Sequence, residues 1–314
     1  MPDDLPSNAA INAAANPQAR KTAADFDPEV MKLFDQYVHG IIDRRGFLSS
    51  ASKYAVGGVS ATMLLEMLAP NFVAAQVVKK DDPRIVAKMV EYDSPDGNGK
   101  AKGYLVMPAK FEGKLPAVLV VHENRGLNPH IEDIARRLAL DNFIAFAPDA
   151  LTPLGGYPGD EDKAREAFAK LDQTKARADF VAGFGFLKAM KEVNGKIGTV
   201  GFCYGGSMAN YLATQLPDLA AAVPFYGGAA KTEDVPKIKA PLLIHYASND
   251  ERINAGWPAY ETALKAAGTK YEAFIYPNTQ HGFNNDTTPR FDAASAKLAW
   301  DRTIAFFNKN LRTK

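Results

Sequence analysis

The chain has 314 residues, 46% hydrophobic and 10% aromatic, and its 37 basic and 36 acidic side chains leave a formal charge of +1. This is the composition of an ordinary globular protein, and so even a charge balance supplies no field to draw in nucleic acid or an anionic membrane; a small, uncharged or weakly anionic partner fits better. One cysteine, Cys203, excludes an internal disulfide and any multi-cysteine zinc site.

Residues 1–24 are rich in Ala, Asn, Pro and Asp without apolar periodicity, which predicts a mobile arm. In FDPEVMKLFDQYVHGII, Val30, Leu33, Phe34, Tyr37, Ile41 and Ile42 recur near helical spacing, so a short amphipathic helix is expected. A twin arginine (Arg44, Arg45) then precedes Phe47, Leu48 and a weakly apolar run from Ala55 to Ala69, with Val73 and Ala75 beyond it. This order resembles a twin-arginine export signal, which would release a mature chain near Gln76 and make the protein periplasmic. The depth of the arginines in the chain and the interruption at Glu66 support a different reading. In that reading residues 25–75 are a helical element packed on the catalytic domain or on a second subunit of a homodimer, and the protein is cytoplasmic. Both readings stand at this point. The run from Ala55 to Ala69 is too short to span a bilayer in either.

Residues 1–80 are therefore expected to form an N-terminal extension and residues 81–314 one catalytic domain. In the latter, IVAKMVEY and AKGYLVMPA read as two leading antiparallel strands joined by the turn-rich DSPDGNG. AVLVVHE is a continuous apolar run of the kind buried on both faces of a parallel sheet. IEDIARRLAL reads as a helix, FIAFAPD as a strand, and EDKAREAFAKL and ARADFVAGFGFLKAMK as helices. KIGTVGF, AAAVPFY and APLLIHYA follow as strands, AYETALKAA as a helix, YEAFIYP as a strand and DAASAKLAWDRTIAFFNKNL as a closing helix. Such alternation predicts an α/β fold with a mostly parallel central sheet and helices on both faces. No glycine-rich loop of the phosphate- or dinucleotide-binding kind is present, and no cofactor is expected.

Gly201-Phe202-Cys203-Tyr204-Gly205 has the form G-x-nucleophile-x-G between a strand and a helix. Glycines two residues either side allow a close backbone crossing, and the turn aims the thiol at the N-terminal end of the following helix, whose partial positive charge favours thiolate. An acid and a histidine follow at the ends of later strands, Asp250 in SNDERI and His281 in NTQHGF. The order nucleophile, acid, histidine is that of the α/β-hydrolases. Of the other histidines, His39 and His130 are expected to be surface or capping residues, His245 a satisfied core residue, and His122 a support for the loop at Glu123. His122, Glu123 and His245 lack the close ligand spacing of a zinc motif, and no metal is expected.

HENRGL, GFCYGG, SNDERI and QHGF in this order resemble the dienelactone hydrolase family, from about Ile85 to the C-terminus. The resemblance implies a hydrolase of lactones or small carboxylic esters, similar to carboxymethylenebutenolidase, working through an acyl-thioester. It implies Cys203 as nucleophile, His281 as general base and then acid, and Asp250 as the orienting carboxylate. It also implies Glu123 as a carboxylate lying against the resting thiol, and the backbone N–H groups of Tyr204 and Asn124 as the oxyanion hole. Arg165 matches one arginine that holds the substrate carboxylate in the family; the tyrosine place is Ala169, beside Phe168, and the second arginine place is Asn285, with Arg290 five residues further on. Arg125, Tyr157, Arg165, Phe283 and Arg290 are the candidate substrate contacts, and Trp257 could add apolar wall. A non-hydrolytic small-molecule binder on the same scaffold is the competing reading, because fold alone does not set function. A redox thiol enzyme ranks below it, since no second cysteine is available to resolve a disulfide.

Overall fold

The computed structural model describes residues 20–312, so most of the expected N-terminal arm lies outside the described residues. Eight strands form one sheet: β1 (Ile85–Ser94), β2 (Gly99–Pro108), β3 (Leu115–Val121), β4 (Ile144–Asp149), β5 (Val193–Phe202), β6 (Ala221–Phe225), β7 (Leu242–Asn249) and β8 (Tyr271–Gln280). Their order is β1-β2-β4-β3-β5-β6-β7-β8. The β1–β2 and β2–β4 pairs are antiparallel, and every pair from β4–β3 to β7–β8 is parallel.

All seven residues of β3 are buried, as its unbroken apolar run requires for a strand covered on both faces. Its side chains alternate between two cores. Val118 and Val120 pack with Ile131, Ile134 and Leu138 of α5 (Pro129–Leu140) and Phe306 and Phe307 of α11 (Ala293–Leu311). Leu119 and Val121 face the other way, toward Phe180 and Leu187 of α7 (Gln173–Ala189) and Met208 and Leu212 of α8 (Tyr204–Gln215). Helices therefore cover both faces of the sheet, and the loops at the carboxyl ends of its parallel strands are left free to build a site.

Among the described residues, four α-helices lie ahead of the sheet: α1 (Pro28–Val38), α2 (Arg44–Ala51), α3 (Ala61–Leu68) and α4 (Phe72–Ala75). Each of the first three starts where a side chain accepts an orphan backbone N–H: Asp27 from Glu29, Asp43 from Gly46 and Ser60 from Met63. Phe34, Tyr37, Phe47, Leu65 and Leu68 join a small core of their own. Phe47, which follows the twin arginine, is completely buried there. The amphipathic pattern of α1 was expected to run to Ile42. The helix instead stops at Val38, because Gly40 takes a φ of 74°, and Ile41 is left exposed.

The residues ahead of β1 pack on the sheet and helices of the same chain. Arg44 pairs with Asp162 at 3.2 Å, and the Asn71 N–H donates to the Thr287 carbonyl at 2.8 Å. The N–H groups of Val77 and Val78 donate to the Asp133 carboxylate, while Arg136 Nε donates to the Val78 carbonyl at 2.8 Å. No helix among the described residues is long and apolar enough to cross a membrane.

Candidate active site

Strand β5 ends at Phe202, and the backbone turns through Cys203 at φ 55°, ψ −112° into α8. A side chain is rarely tolerated there, and the turn persists because its neighbours lock it. The Cys203 N–H donates to the Phe225 carbonyl and the Cys203 carbonyl accepts from Ser207, each at 3.1 Å. A Cβ on Gly201 would sit 1.9 Å from the Gly205 carbonyl oxygen, and one on Gly205 would sit 2.2 Å from that of Val121. Both glycines are thus required by backbone crossing, as the motif implied. The turn places the thiol on a cavity of about 170 Å³ whose walls include Asn124, Tyr204, Tyr226, Arg252 and His281.

Asp250 closes β7 and caps a single helical turn, α9 (Glu251–Asn254); His281 follows β8. Both side chains are buried, and His281 Nδ1 lies 2.5 Å from Asp250 Oδ2. Burial alone would push the Cys203 thiol up, but its contacts with His281 and His39 outweigh this and bring it down to about 6. Burial alone would push His281 down, but Cys203 and Asp250 reverse that and raise it to about 10. The two directions are those of a thiolate beside an imidazolium.

The remaining expected site residues are distributed less simply. Glu123, after β3, is partly buried, and its carboxylate accepts a hydrogen bond from Asn285 Nδ2 at 2.8 Å. The ring of Tyr204 stacks on His122 and meets Phe168 edge-on, while its backbone opens α8, where the helix leaves N–H groups unpaired. Tyr157 donates from its hydroxyl to Glu161 at 2.9 Å. Phe283 is wholly buried against Tyr226 and Tyr276, and Trp257 packs on Tyr246, Tyr260 and Tyr271, so both rings support the fold and neither lines this cavity.

The three arginines expected to meet substrate meet the extension. Arg165 Nη1 donates to the Tyr37 carbonyl at 2.9 Å and its guanidinium lies 4.4 Å from the Tyr37 ring centre. Arg125 Nη2 and Asn124 Nδ2 both donate to the Val38 carbonyl, at 3.1 and 2.9 Å. Arg290 lies 3.7 Å from the Asp35 carboxylate and over the Phe34 ring. The last carbonyls of a helix have no partner within it. Those of α1 find theirs on the catalytic domain, and the next residue is carried into the cavity.

That residue is His39: it caps the end of α1, as one of the two expected roles had it, but it is not a surface residue, because its side chain enters the cavity. Its Nδ1 lies 2.8 Å from the Asp35 carbonyl and 3.2 Å from the Asp35 carboxylate. Its Nε2 lies 3.3 Å from His281 Nε2, 3.5 Å from Cys203 Sγ and 2.9 Å from Arg252 Nη2. Its sequence neighbours carried no sign of this, because the contacts cross 164 and 242 residues of chain. The only sequence signal was an amphipathic helix ending at a histidine. His130 is likewise corrected: it is buried beside Asp286, with Nδ1 at 3.2 Å from Oδ1. His122 accepts from the Ala150 N–H at 3.1 Å, and His245 sits between Tyr276 and Thr303 in the core, as expected.

Residues 101–311 match the model of the dienelactone hydrolase family, and residues 17–56 match a separate model described as YqhI-like. A relative from Escherichia coli (strain K12), named "Putative carboxymethylenebutenolidase", is 32% identical over 252 residues, which cover 76% of this chain and 92% of its own length. Protein usf of Aquifex pyrophilus is 34% identical over 239 residues, 72% of this chain and all of its own. Among solved structures, the "Putative Dienelactone Hydrolase" from Klebsiella pneumoniae superposes with a TM-score of 0.64 at 27% identity, covering 71% of this chain and 99% of its own. With a family model spanning most of the chain and relatives matched almost end to end, the chain belongs to the dienelactone hydrolase family of α/β-hydrolases and is classed as a dienelactone-hydrolase-like carboxylic ester hydrolase.

Proposed function

We propose that this protein hydrolyses a lactone or small carboxylic ester through Cys203, with His281 as base and then acid and Asp250 as its orienting carboxylate. The observation that carries this is a cysteine on a strained strand-to-helix turn beside a buried histidine whose far nitrogen is held by a buried carboxylate. Cys203 Sγ attacks the acyl carbon, and the oxygen that becomes negative is received by the N–H groups of Tyr204 and Asn124. Two such donors contribute on the order of 3 kcal/mol each in related acyl-transfer sites. Collapse of the tetrahedral species expels the alkoxide, which takes a proton from His281. His281 then removes a proton from water, the hydroxide adds to the thioester, and the thiolate leaves to give the free acid.

Space as well as kinship supports this substrate class. With the extension in place the cavity of about 170 Å³ is smaller than the roughly 300–1,000 Å³ of sites for drug-sized ligands, which favours a small acyl group. The relatives named for carboxymethylenebutenolidase support a lactone. The test is a burst assay with p-nitrophenyl acetate in the presence of a chelator, with intact mass followed on wild type and Cys203→Ala. Transient acylation of the wild type alone is expected. A folded wild type that is never acylated, by this ester or by a dienelactone, would leave the non-hydrolytic binder as the better reading.

A further inference from the structure

Three soft or borderline donor atoms converge on one point of the cavity: Cys203 Sγ and the Nε2 atoms of His39 and His281, all within 4.8 Å of one another. The Nε2–Nε2 separation is 3.3 Å and the Sγ–Nε2 separation to His39 is 3.5 Å. A tetrahedral zinc ion has metal–nitrogen bonds of about 2.0–2.1 Å and a metal–sulfur bond of about 2.3 Å, which set vertex separations of about 3.3–3.4 Å and about 3.5–3.6 Å. The two edges at His39 are those of such a tetrahedron, and the third lies within 4.8 Å. Each imidazole also has its other nitrogen engaged, His281 Nδ1 by the Asp250 carboxylate and His39 Nδ1 by the carbonyl and carboxylate of Asp35. Histidines that ligate metals are oriented in this way by an outer carboxylate or carbonyl.

We propose that Cys203, His39 and His281 bind one zinc-type divalent ion, with the fourth position open to the cavity. Two ring nitrogens and a sulfur this close share hydrogens or a cation; without metal the proton held between Cys203 and His281 and the Arg252 guanidinium on His39 fill that role, and a divalent ion takes their place. As the ion enters, the thiol proton and any imidazolium proton pass to solvent, and three lone pairs close on the metal. Arg252, whose Nη2 lies 2.9 Å from His39 Nε2, is exposed and swings aside. Because the thiolate is both ligand and nucleophile, the bound ion withdraws Cys203 from acyl transfer. It also ties the extension, through His39, across the cavity. This proposal does not depend on the hydrolase reading.

The test uses the full-length protein, stripped with a chelator and titrated with Co²⁺ and then with competing Zn²⁺. Binding of one Co²⁺ per chain is expected, with a near-ultraviolet thiolate-to-cobalt charge-transfer band and the intense visible bands of four-coordinate Co²⁺. Cys203→Ser should abolish the charge-transfer band. Asp35→Asn, which keeps all three ligands and removes the carboxylate behind His39 together with its pairing to Arg290, should weaken binding by about 10–100-fold, and His39→Ala by more than that. Circular dichroism checks that each variant is folded, and Asp35→Asn remains informative where His39→Ala is not. A protein with a free thiol that gives no charge-transfer band at saturating Co²⁺ would overturn the proposal. So would binding left unchanged in His39→Ala and Asp35→Asn. Acylation in chelator is run on the same preparation: acylation without ion binding removes only the metal site, and ion binding without acylation removes only the hydrolase.

Discussion

Replacing Cys203 by glycine should give a more stable protein than replacing it by alanine, which reverses the usual order. At φ 55°, ψ −112° a residue with a Cβ carries strain of about 1–3 kcal/mol, which glycine does not. Against this, glycine gains about 0.4–1 kcal/mol of extra chain entropy in the unfolded state. The difference comes to about 1 kcal/mol in favour of glycine, whereas within a helix or strand glycine is less stable than alanine by about 0.5–1 kcal/mol. Both variants lose the sulfur and its contacts with His281 and His39, so those losses cancel in the comparison. The assay is urea unfolding followed by the fluorescence of Trp257 and Trp300, with equal denaturant slopes as a condition. In a thermal scan the same difference should appear as about 1.5 °C, because the shift shrinks as chain length grows. A Cys203→Gly variant that trails Cys203→Ala by the ordinary margin would refute the claim that the turn stores strain at the nucleophile.

The other expectations concern the carboxylate, the extension and a core histidine. Asp250→Asn should fold normally yet slow acylation by on the order of 10³–10⁴, because the amide would hold His281 in the wrong tautomer; an unimpaired burst would remove Asp250 from the mechanism. Phe47→Ala should cost the small helical core about 3–5 kcal/mol and free residues 34–39, so that a bulky maleimide labels Cys203 faster; an unchanged rate would mean that the extension does not control access. His245 is wholly buried and neutral, and burial pushes it down to about 3. Below pH 6.5 the unfolded chain takes up a proton that the folded chain refuses, so stability falls with pH by about 1.4 kcal/mol per unit from this residue. In His245→Gln the stability loss between pH 6.5 and 5 should be smaller than in wild type, measured by urea unfolding at both values; matching losses would place the proton elsewhere.

The sequence by itself determined most of the scaffold and the order of the chemical groups. Alternation of apolar runs with helical periods is a local consequence of backbone geometry, so every strand from Ile85 to Gln280 could be read before the fold was known. The glycines at 201 and 205 are equally local, because the close crossings of one turn require them. The extension was legible only as helices. Where α1 would dock depended on donors in other elements: Arg165 in α6 (Glu161–Phe168), and Arg125 and Asn124 in the loop after β3.

Tertiary structure alone decided what those donors hold. A guanidinium can donate either to a substrate carboxylate or to the orphan carbonyls at the end of a helix, so no property of Arg125 or Arg165 in the sequence distinguishes the two. His39 entered the cavity for the same reason. Its contact with Cys203 spans 164 residues and is set by the docking of a helix end, which leaves no periodic or spacing mark on the chain.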